Sequence, residues 1–153
     1  MFSIGHKAPD FTLPACPGGH YTLSAQRPAP VVLFFYGKDG TPTCTAEVMD
    51  FAALLPEFSA LGARVIGVSK DSLAAHERFI ARTGLGFVLG SDQRGQMMEE
   101  WGAHGEKLFF GKRVQGVLRK TYLIDGNGVI AAAWAVDRVK GHAAEVLSAL
   151  RRL

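Results

Sequence analysis

The stretch that decides the fold class spans residues 31–47 and reads VVLFFYGKDGTPTCTAE. Its first five residues are apolar without polar alternation, which predicts a central strand covered on both faces. A charged, glycine-containing loop follows, and apolar residues recur at helical spacing after Cys44. The pattern therefore predicts that Thr41 and Cys44 lie where a buried strand leads into the first long helix.

The elements predicted around this stretch follow the order of an α/β fold. Two short strands precede it, joined by a turn at Pro17-Gly18-Gly19, and the first helix is predicted to kink or divide at Pro56. After it we expect a strand at RVIGVS, a helix over residues 69–83, a strand at FVLGSD, a short helix over 94–101, two strands joined at 125–128, and a final helix over 142–152. This order is the thioredoxin-like arrangement, with an N-terminal β-hairpin and a central mixed sheet flanked by helices, in a single domain spanning residues 1–153.

Composition and charge argue against several classes of protein. The chain has 153 residues and a net charge of +3, and its basic residues are scattered, so we expect no nucleic-acid partner. No apolar run approaches the roughly 20 residues of a membrane helix, and no signal pattern is present, so we expect no membrane partner and a cytoplasmic location. The two cysteines, Cys16 and Cys44, are too few for a disulfide scaffold.

A cysteine at the start of a helix has distinctive chemistry. Unpaired backbone N–H groups and the partial positive charge of a helix N-terminus favour the thiolate and lower the pKa of the thiol. Thr41, three residues before Cys44, can donate a hydrogen bond to the sulfur. We expect Cys44 to be a nucleophile outside apolar packing; the alternative is a small buried hydrophobic residue, the commoner role of a lone intracellular cysteine.

The segment FFYGKDGTPTCTAE resembles the active-site segment of the peroxiredoxins, thiol peroxidases with a thioredoxin-like fold and the pattern P-x-x-x-T/S-x-x-C. The similarity is greatest to the bacterioferritin comigratory protein, or peroxiredoxin Q, group. It continues through HKAPDFTLP, VIGVSKDS, HERFIARTGLGFVLGSD, GEKLFFGK, GVLRKTYLIDGNGVI and HAAEVLSAL. The resemblance therefore covers nearly the whole chain.

This resemblance implies a thiol-dependent peroxidase that needs no cofactor and no metal. Cys44 matches the peroxidatic cysteine, Thr41 the hydroxyl residue of the motif, and Arg119 the active-site arginine. Glu47 and Pro42 are supporting residues, Glu47 as the acidic residue that helps to hold the arginine. The implied partners are a hydroperoxide substrate and an external thiol reductant, such as thioredoxin or a low-molecular-weight thiol, and the implied state is a monomer or homodimer.

Two departures from the family pattern leave alternative functions open. Gly37 replaces the motif proline that packs against the cysteine, so we expect a looser loop and a slower peroxidase. Met49 stands where many relatives have a resolving cysteine, and residues 70–83 contain none, which leaves Cys16 as a possible resolving thiol. The alternatives are a non-catalytic redox sensor or partner-binding module, and a disulfide exchanger that uses Cys16 and Cys44.

The remaining polar and aromatic residues are assigned structural roles. The histidines lack zinc-ligand spacing, and His76 and His142 are predicted to be exposed on helices. Phe109 and Phe110 are assigned to the core together with the other aromatic residues. Residues 125–128 are interpreted as a turn rather than a calcium loop.

Overall fold

The fold is a mixed β-sheet with helices on both faces, seen in a computed structural model that describes residues 2–153. The strands are β1 (Thr12–Cys16), β2 (Gly19–Thr22), β3 (Val31–Phe35), β4 (Arg64–Ser69), β5 (Val88–Ser91), β6 (His104–Phe109), β7 (Lys112–Val117), β8 (Lys120–Ile124) and β9 (Ile130–Ala135). The helices are α1 (Pro42–Ala53), α2 (Leu55–Ala60), α3 (Leu73–Thr83), α4 (Gln96–Glu100) and α5 (His142–Arg151). No helix in this part of the chain has the length and apolar character needed to cross a bilayer.

Seven strands form one sheet in the order β2-β1-β5-β4-β3-β8-β9. Strand β3 pairs in parallel with β4 and antiparallel with β8, and all five of its side chains are buried. Val32 and Phe34 pack into one core cluster, whereas Leu33 and Phe35 pack into the other. The predicted central strand, covered on both faces, is therefore confirmed.

The two core clusters lie on opposite faces of the sheet. The cluster around Phe34 takes apolar side chains from α1, α2, α3 and α5. The other cluster takes Met97 and Met98 of α4, together with Trp101 and residues of the β1–β2 hairpin. This layered arrangement is the predicted α/β class with a mixed sheet.

Most predicted boundaries hold, but the segment GVLRKTYLID, predicted as one strand, is divided between the end of β7 and β8. The first helix is divided as predicted, because α1 ends at Ala53 and α2 carries Pro56 in its first turn. The turn at residues 125–128 is also confirmed, since the Asp125 carboxylate accepts hydrogen bonds from the backbone N–H groups of Asn127 and Val129. The helix predicted from residue 69 begins only at Leu73, because the chain up to Ser69 continues β4, in which every residue after Arg64 is buried.

The hairpin formed by β6 and β7 was missed by the sequence analysis. These strands pair only with each other and carry mostly exposed residues, so they lack the apolar pattern of a strand packed on a core. Phe109 and Phe110 lie at the hairpin tip and are 56% and 91% exposed. The assignment of these two side chains to the core is therefore wrong.

Candidate active site

Cys44 occupies the first turn of α1, just beyond the loop that follows β3. Pro42 is the first helical residue and Thr41 the N-cap, and proline suits this position because its missing N–H would have no partner. Cys44, Val48 and Phe51 follow at spacings of four and three, so they share the face of α1 that packs into the core. Cys44 is only 5% exposed. Its place at the helix start is confirmed, but the expectation that it lies outside apolar packing is wrong.

Arg119 reaches Cys44 because two neighbouring strands run in opposite directions. Lys120, the first residue of β8, lies opposite Phe35 at the end of β3, so the residue before β8 is brought close to the start of α1. Nη2 of Arg119 donates to Sγ of Cys44 at 3.3 Å. Nη1 donates to Oε1 of Glu47 at 2.7 Å. A single guanidinium group thus contacts both the thiol and the carboxylate.

Thr41 places its hydroxyl between the loop and the sulfur. Its Oγ1 donates to the carbonyl oxygen of Lys38 at 3.0 Å, and it is also within hydrogen-bonding reach of the Cys44 sulfur. A hydroxyl has one proton to donate, so these two acceptors compete for it. Thr41 can therefore turn its proton toward the sulfur, or toward an oxygen that the sulfur attacks, without moving its backbone.

The pKa of the Cys44 thiol is lowered from its ordinary value, although the side chain is buried. Burial by itself raises this pKa. Hydrogen bonds from Thr41, Arg119 and the backbone N–H of Lys38 outweigh the burial, and the positive charge of Arg119 adds to them. The site therefore favours the thiolate, which is the nucleophilic form of cysteine.

Glu47 is a buried carboxylate that is only half satisfied. Burial raises its pKa from 4.5 to about 7, against the opposing effect of Arg119. Its Oε2 atom has no hydrogen-bond partner among residues 2–153. Burial alone would lower the pKa of Arg119, but its hydrogen bond to Cys44 and the charge of Glu47 raise it, so the guanidinium stays cationic.

Residues 37–40, here called the active-site loop, are anchored by a buried network that the sequence analysis missed. Asp39 accepts a hydrogen bond from the Tyr36 hydroxyl at 2.5 Å and lies 2.6 Å from Nδ1 of His76. Nε2 of His76 faces the carbonyl oxygen of Gly90 at 3.0 Å, so it carries a proton. The His76 side chain therefore bridges the active-site loop and strand β5.

Asp71 holds the same loop from another side. Its Oδ2 accepts hydrogen bonds from the backbone N–H of Asp39 at 2.9 Å and from the Ser69 hydroxyl at 2.7 Å. Asp39, Asp71 and His76 bring potential metal-ligand atoms within 4.8 Å of one another. Both nitrogens of His76 are already hydrogen-bonded, so this cluster acts as an anchor for the loop rather than as an open ligand set.

The prediction of exposed histidines on helices is wrong for both residues concerned. His76 is fully buried, and His142 is 4% exposed, with its Nε2 2.8 Å from the Thr121 hydroxyl. Helical periodicity could have shown this. His76 lies three residues before Phe79, and His142 four residues before Val146, so each histidine lies on the apolar face of its helix.

Gly37 leaves one side of the Cys44 sulfur without a side-chain neighbour. The residue is exposed, and a Cβ placed on it would lie 3.5 Å from Sγ, an ordinary van der Waals distance. Nothing else lies within 4 Å of that position, apart from the neighbouring residues of the chain. A side chain at position 37 would therefore cover the sulfur without a clash.

Cys16 is remote from Cys44 in the sheet. It is the last residue of β1, and β5 and β4 lie between β1 and β3. Neighbouring strands are spaced by nearly 5 Å, so β1 and β3 are about 14 Å apart. A disulfide needs Cα atoms within about 7 Å. The structure thus brings Thr41, Cys44, Glu47 and Arg119 together, but not Cys16.

Comparison with known proteins agrees with this geometry. The model of the AhpC/TSA family matches residues 4–133. The chain belongs to the AhpC/TSA family. Peroxiredoxin Bcp of Xanthomonas campestris is 42% identical to it over 142 residues, which cover 93% of this chain and 89% of the relative. The predicted resemblance to peroxiredoxins of the bacterioferritin comigratory protein group is therefore confirmed.

Solved structures of other AhpC/TSA peroxiredoxins share the fold. A cysteine-to-serine variant of Xylella fastidiosa PrxQ has a TM-score of 0.92 and 35% identity, covering 99% of this chain and 97% of that one. The bacterioferritin comigratory protein of Xanthomonas campestris, studied for its alkyl peroxide reduction activity, has a TM-score of 0.87 and 40% identity, covering 93% and 90%. The thioredoxin-like fold is confirmed, and the protein is a thiol-dependent peroxidase.

Proposed function

We propose that this peroxiredoxin reduces hydrogen peroxide and organic hydroperoxides through Cys44 alone and is regenerated by an external thiol. The observation that carries the proposal is the contact between Arg119 and the Cys44 sulfur at 3.3 Å, in a site that Cys16 does not reach. The pKa of Cys44 is lowered by that contact and by its neighbours, which supplies the nucleophile. The alkyl peroxide reduction studied in the Xanthomonas campestris protein supports the same class of substrate.

In the first step the Cys44 thiolate attacks one oxygen of the hydroperoxide. A sulfur–oxygen bond forms as the oxygen–oxygen bond breaks, and the leaving alkoxide or hydroxide takes up a proton to become an alcohol or water. Cys44 is left as a sulfenic acid. Arg119 stabilises the negative charge that moves from sulfur to the leaving oxygen, because its guanidinium already faces the sulfur.

The other predicted site residues position these groups. Thr41 can hold a peroxide oxygen in line with the sulfur through its hydroxyl. Glu47 orients Arg119 through the 2.7 Å ion pair. Pro42 fixes the residue at which α1 begins. Gly37 lies beside the sulfur, so the size of the residue at position 37 affects access to Cys44.

In the second step an external thiol attacks the sulfenic sulfur and water leaves, giving a mixed disulfide. A second thiol then releases the Cys44 thiolate. Thioredoxin and low-molecular-weight thiols are the proposed classes of reductant. The single domain over residues 1–153, the monomer or homodimer and the cytoplasmic location are part of the same proposal.

The test is the intact mass of the protein after one equivalent of hydrogen peroxide, with a trap for sulfenic acid. Wild type and Cys16→Ser are expected to gain one trappable oxygen, whereas Cys44→Ser gains none. If wild type loses two hydrogens and Cys16→Ser does not, Cys16 resolves Cys44 and the single-cysteine mechanism is overturned. If Cys44 does not react at all, the protein is a sensor or binding module instead.

A further inference from the structure

A cavity of about 530 Å³ opens beside the active-site loop. The loop lines it with Lys38 and Asp39, the chain after β4 with Asp71, and α3 with Arg78 and Arg82. Two alanines of α3 complete the lining, and their small side chains leave the space open. The volume falls within the roughly 300–1,000 Å³ typical of small-molecule sites. We call it the basic cavity.

The three cations of the basic cavity form no ion pairs among residues 2–153, although two aspartates also line it. Arg78 and Arg82 are exposed and one turn apart on α3, a spacing at which like charges repel. Neither arginine, nor Lys38, forms an ion pair with any residue in 2–153. A cluster of this kind attracts anions, since an anion removes the repulsion.

The two aspartates of the cavity are engaged elsewhere. Asp39 lies 2.6 Å from Nδ1 of His76 and accepts a hydrogen bond from the Tyr36 hydroxyl, so its carboxylate already has two internal partners. Asp71 is held by the Ser69 hydroxyl and by the backbone of Asp39. Three cations therefore line the cavity beside two carboxylates that already have internal partners, and the cations outnumber the carboxylates.

The basic cavity lies beside residues that surround the catalytic sulfur. The side chain of Lys38 lines the cavity, while its backbone N–H hydrogen-bonds to Cys44. The Arg82 guanidinium packs against the active-site loop, 3.4 Å from where a Cβ on Gly40 would lie. Gly37, the next residue to Lys38, has no side chain, and a Cβ placed on it would lie 3.5 Å from the sulfur. These contacts place the basic cavity next to residues that surround the sulfur.

An approach from the basic cavity differs from the approach of the peroxide. Arg119 enters from β8, which flanks β3 on one side. Helix α3 packs on β1 and β5, which lie on the other side of β3. A molecule that must contact Arg119 and one that is anchored between Lys38 and Arg82 therefore reach the sulfur from different directions.

We propose that the basic cavity binds the carboxylate groups of a small anionic thiol, and that this thiol is the reductant of oxidised Cys44. This inference rests on the proposed function. The bound thiol attacks the sulfenic sulfur, a sulfur–sulfur bond forms, and the hydroxyl leaves with the thiol proton as water. A second thiol molecule displaces the Cys44 thiolate and is oxidised with the first to a disulfide, so two thiols balance one peroxide.

The experiment compares mercaptosuccinate, a dianionic thiol, with uncharged 2-mercaptoethanol. The rate of reduction of preformed sulfenic acid is measured for wild type, for the double variant Arg78→Gln/Arg82→Gln, and for Arg94→Gln as an exposed arginine outside the cavity. We expect the ratio of the two rates to fall roughly tenfold in the double variant, because two exposed ion pairs are lost. It should not change in Arg94→Gln, and in wild type it should fall with added salt.

Oxidation of Cys44 is measured separately with hydrogen peroxide and with a carboxylated hydroperoxide. The proposal is overturned if the rates of reduction by the two thiols fall equally in the double variant. It is also overturned if that variant retains the preference for mercaptosuccinate. If the double variant reacts more slowly with the carboxylated hydroperoxide but not with hydrogen peroxide, the proposal is also overturned, because the cavity would then bind substrate. If Cys44 does not oxidise in wild type, the proposed function itself is wrong. The oxidation measurement shows this independently of the thiol rates.

A binding measurement keeps the proposal testable without turnover. Succinate, which has the two carboxylates and no thiol, is titrated into reduced ¹⁵N-labelled protein. The amide signals of Lys38, Gly40 and Ala81 are expected to shift in wild type and in Arg94→Gln, but not in the double variant. The absence of these shifts in wild type would contradict an anion site in the basic cavity.

Discussion

The guanidinium of Arg119 donates to the sulfur of Cys44 at 3.3 Å across a sequence separation of 75 residues. The same group donates to Glu47 at 2.7 Å, so one cation stabilises both the Cys44 thiolate and the Glu47 carboxylate. Since Cys44 and Glu47 are buried, little solvent screens these interactions. The reactivity of the thiol therefore depends on how strands β3 and β8 pair, and this relationship can be tested by substitution.

The first prediction concerns Arg119→Gln. The variant loses the charge and a charge-assisted hydrogen bond, so the pKa of Cys44 is expected to rise. The rate of peroxide reaction at pH 7 should fall roughly 100-fold, because both the thiolate and the leaving oxygen lose a stabilising group. Thiolate absorbance against pH measures the first effect, with Cys44→Ser as the baseline. An unchanged titration midpoint would show that Arg119 does not set the pKa.

The second prediction concerns Glu47 and pH. Its pKa is about 7 in the folded protein instead of 4.5, so between these values the folded state binds the proton more tightly than the unfolded chain does. The stabilisation is complete below pH 4.5 and is lost as the pH rises through about 7, by roughly 3 kcal/mol. Urea unfolding from pH 4.5 to 8 should show this fall in wild type relative to Glu47→Gln. Parallel pH profiles of the two proteins would contradict it.

The third prediction compares alanine at two glycines of the active-site loop. Gly37 lies outside the left-handed region, and its new Cβ would meet the Cys44 sulfur at 3.5 Å, so Gly37→Ala should stabilise the protein by about 0.4–1 kcal/mol. The more ordered loop should also speed the peroxide reaction a few-fold. Gly40 has a φ of +83°, so Gly40→Ala should cost about 1 kcal/mol or more. Equal effects at the two positions would refute this account of the loop.

The fourth prediction concerns the anchor of the loop. His76→Leu leaves the buried Asp39 carboxylate without its partner and should lower the free energy of unfolding by about 3 kcal/mol. Adding Asp39→Asn should cost less in that variant than in wild type, since the two residues interact directly. The exposed His20→Leu serves as the matched control and should change stability by less than about 0.5 kcal/mol. Additive losses in the double variant would mean that the two side chains are not coupled.

Local patterns were enough to predict most of the fold. The unbroken apolar run of β3, the proline that divides α1 from α2, and the turn at residues 125–128 each leave a short signal in sequence. The β6–β7 hairpin has no such signal in the sequence, because its side chains do not pack in a core and therefore need not be apolar. The exposed Phe110 shows that an aromatic residue alone does not indicate burial.

The amino-acid sequence by itself determined the strand–loop–helix unit, the position of Cys44 at the start of a helix, and the presence of Thr41 and Glu47 near it, because these depend on contacts within a few residues. Only the tertiary structure decided that Cys44 is buried yet has a lowered pKa, that His76 holds the loop, and that three unpaired cations line one cavity. These features arise from side chains that lie far apart in the chain. Their distances, their burial and the charges that face them are set by strand pairing and helix packing, which no local pattern encodes.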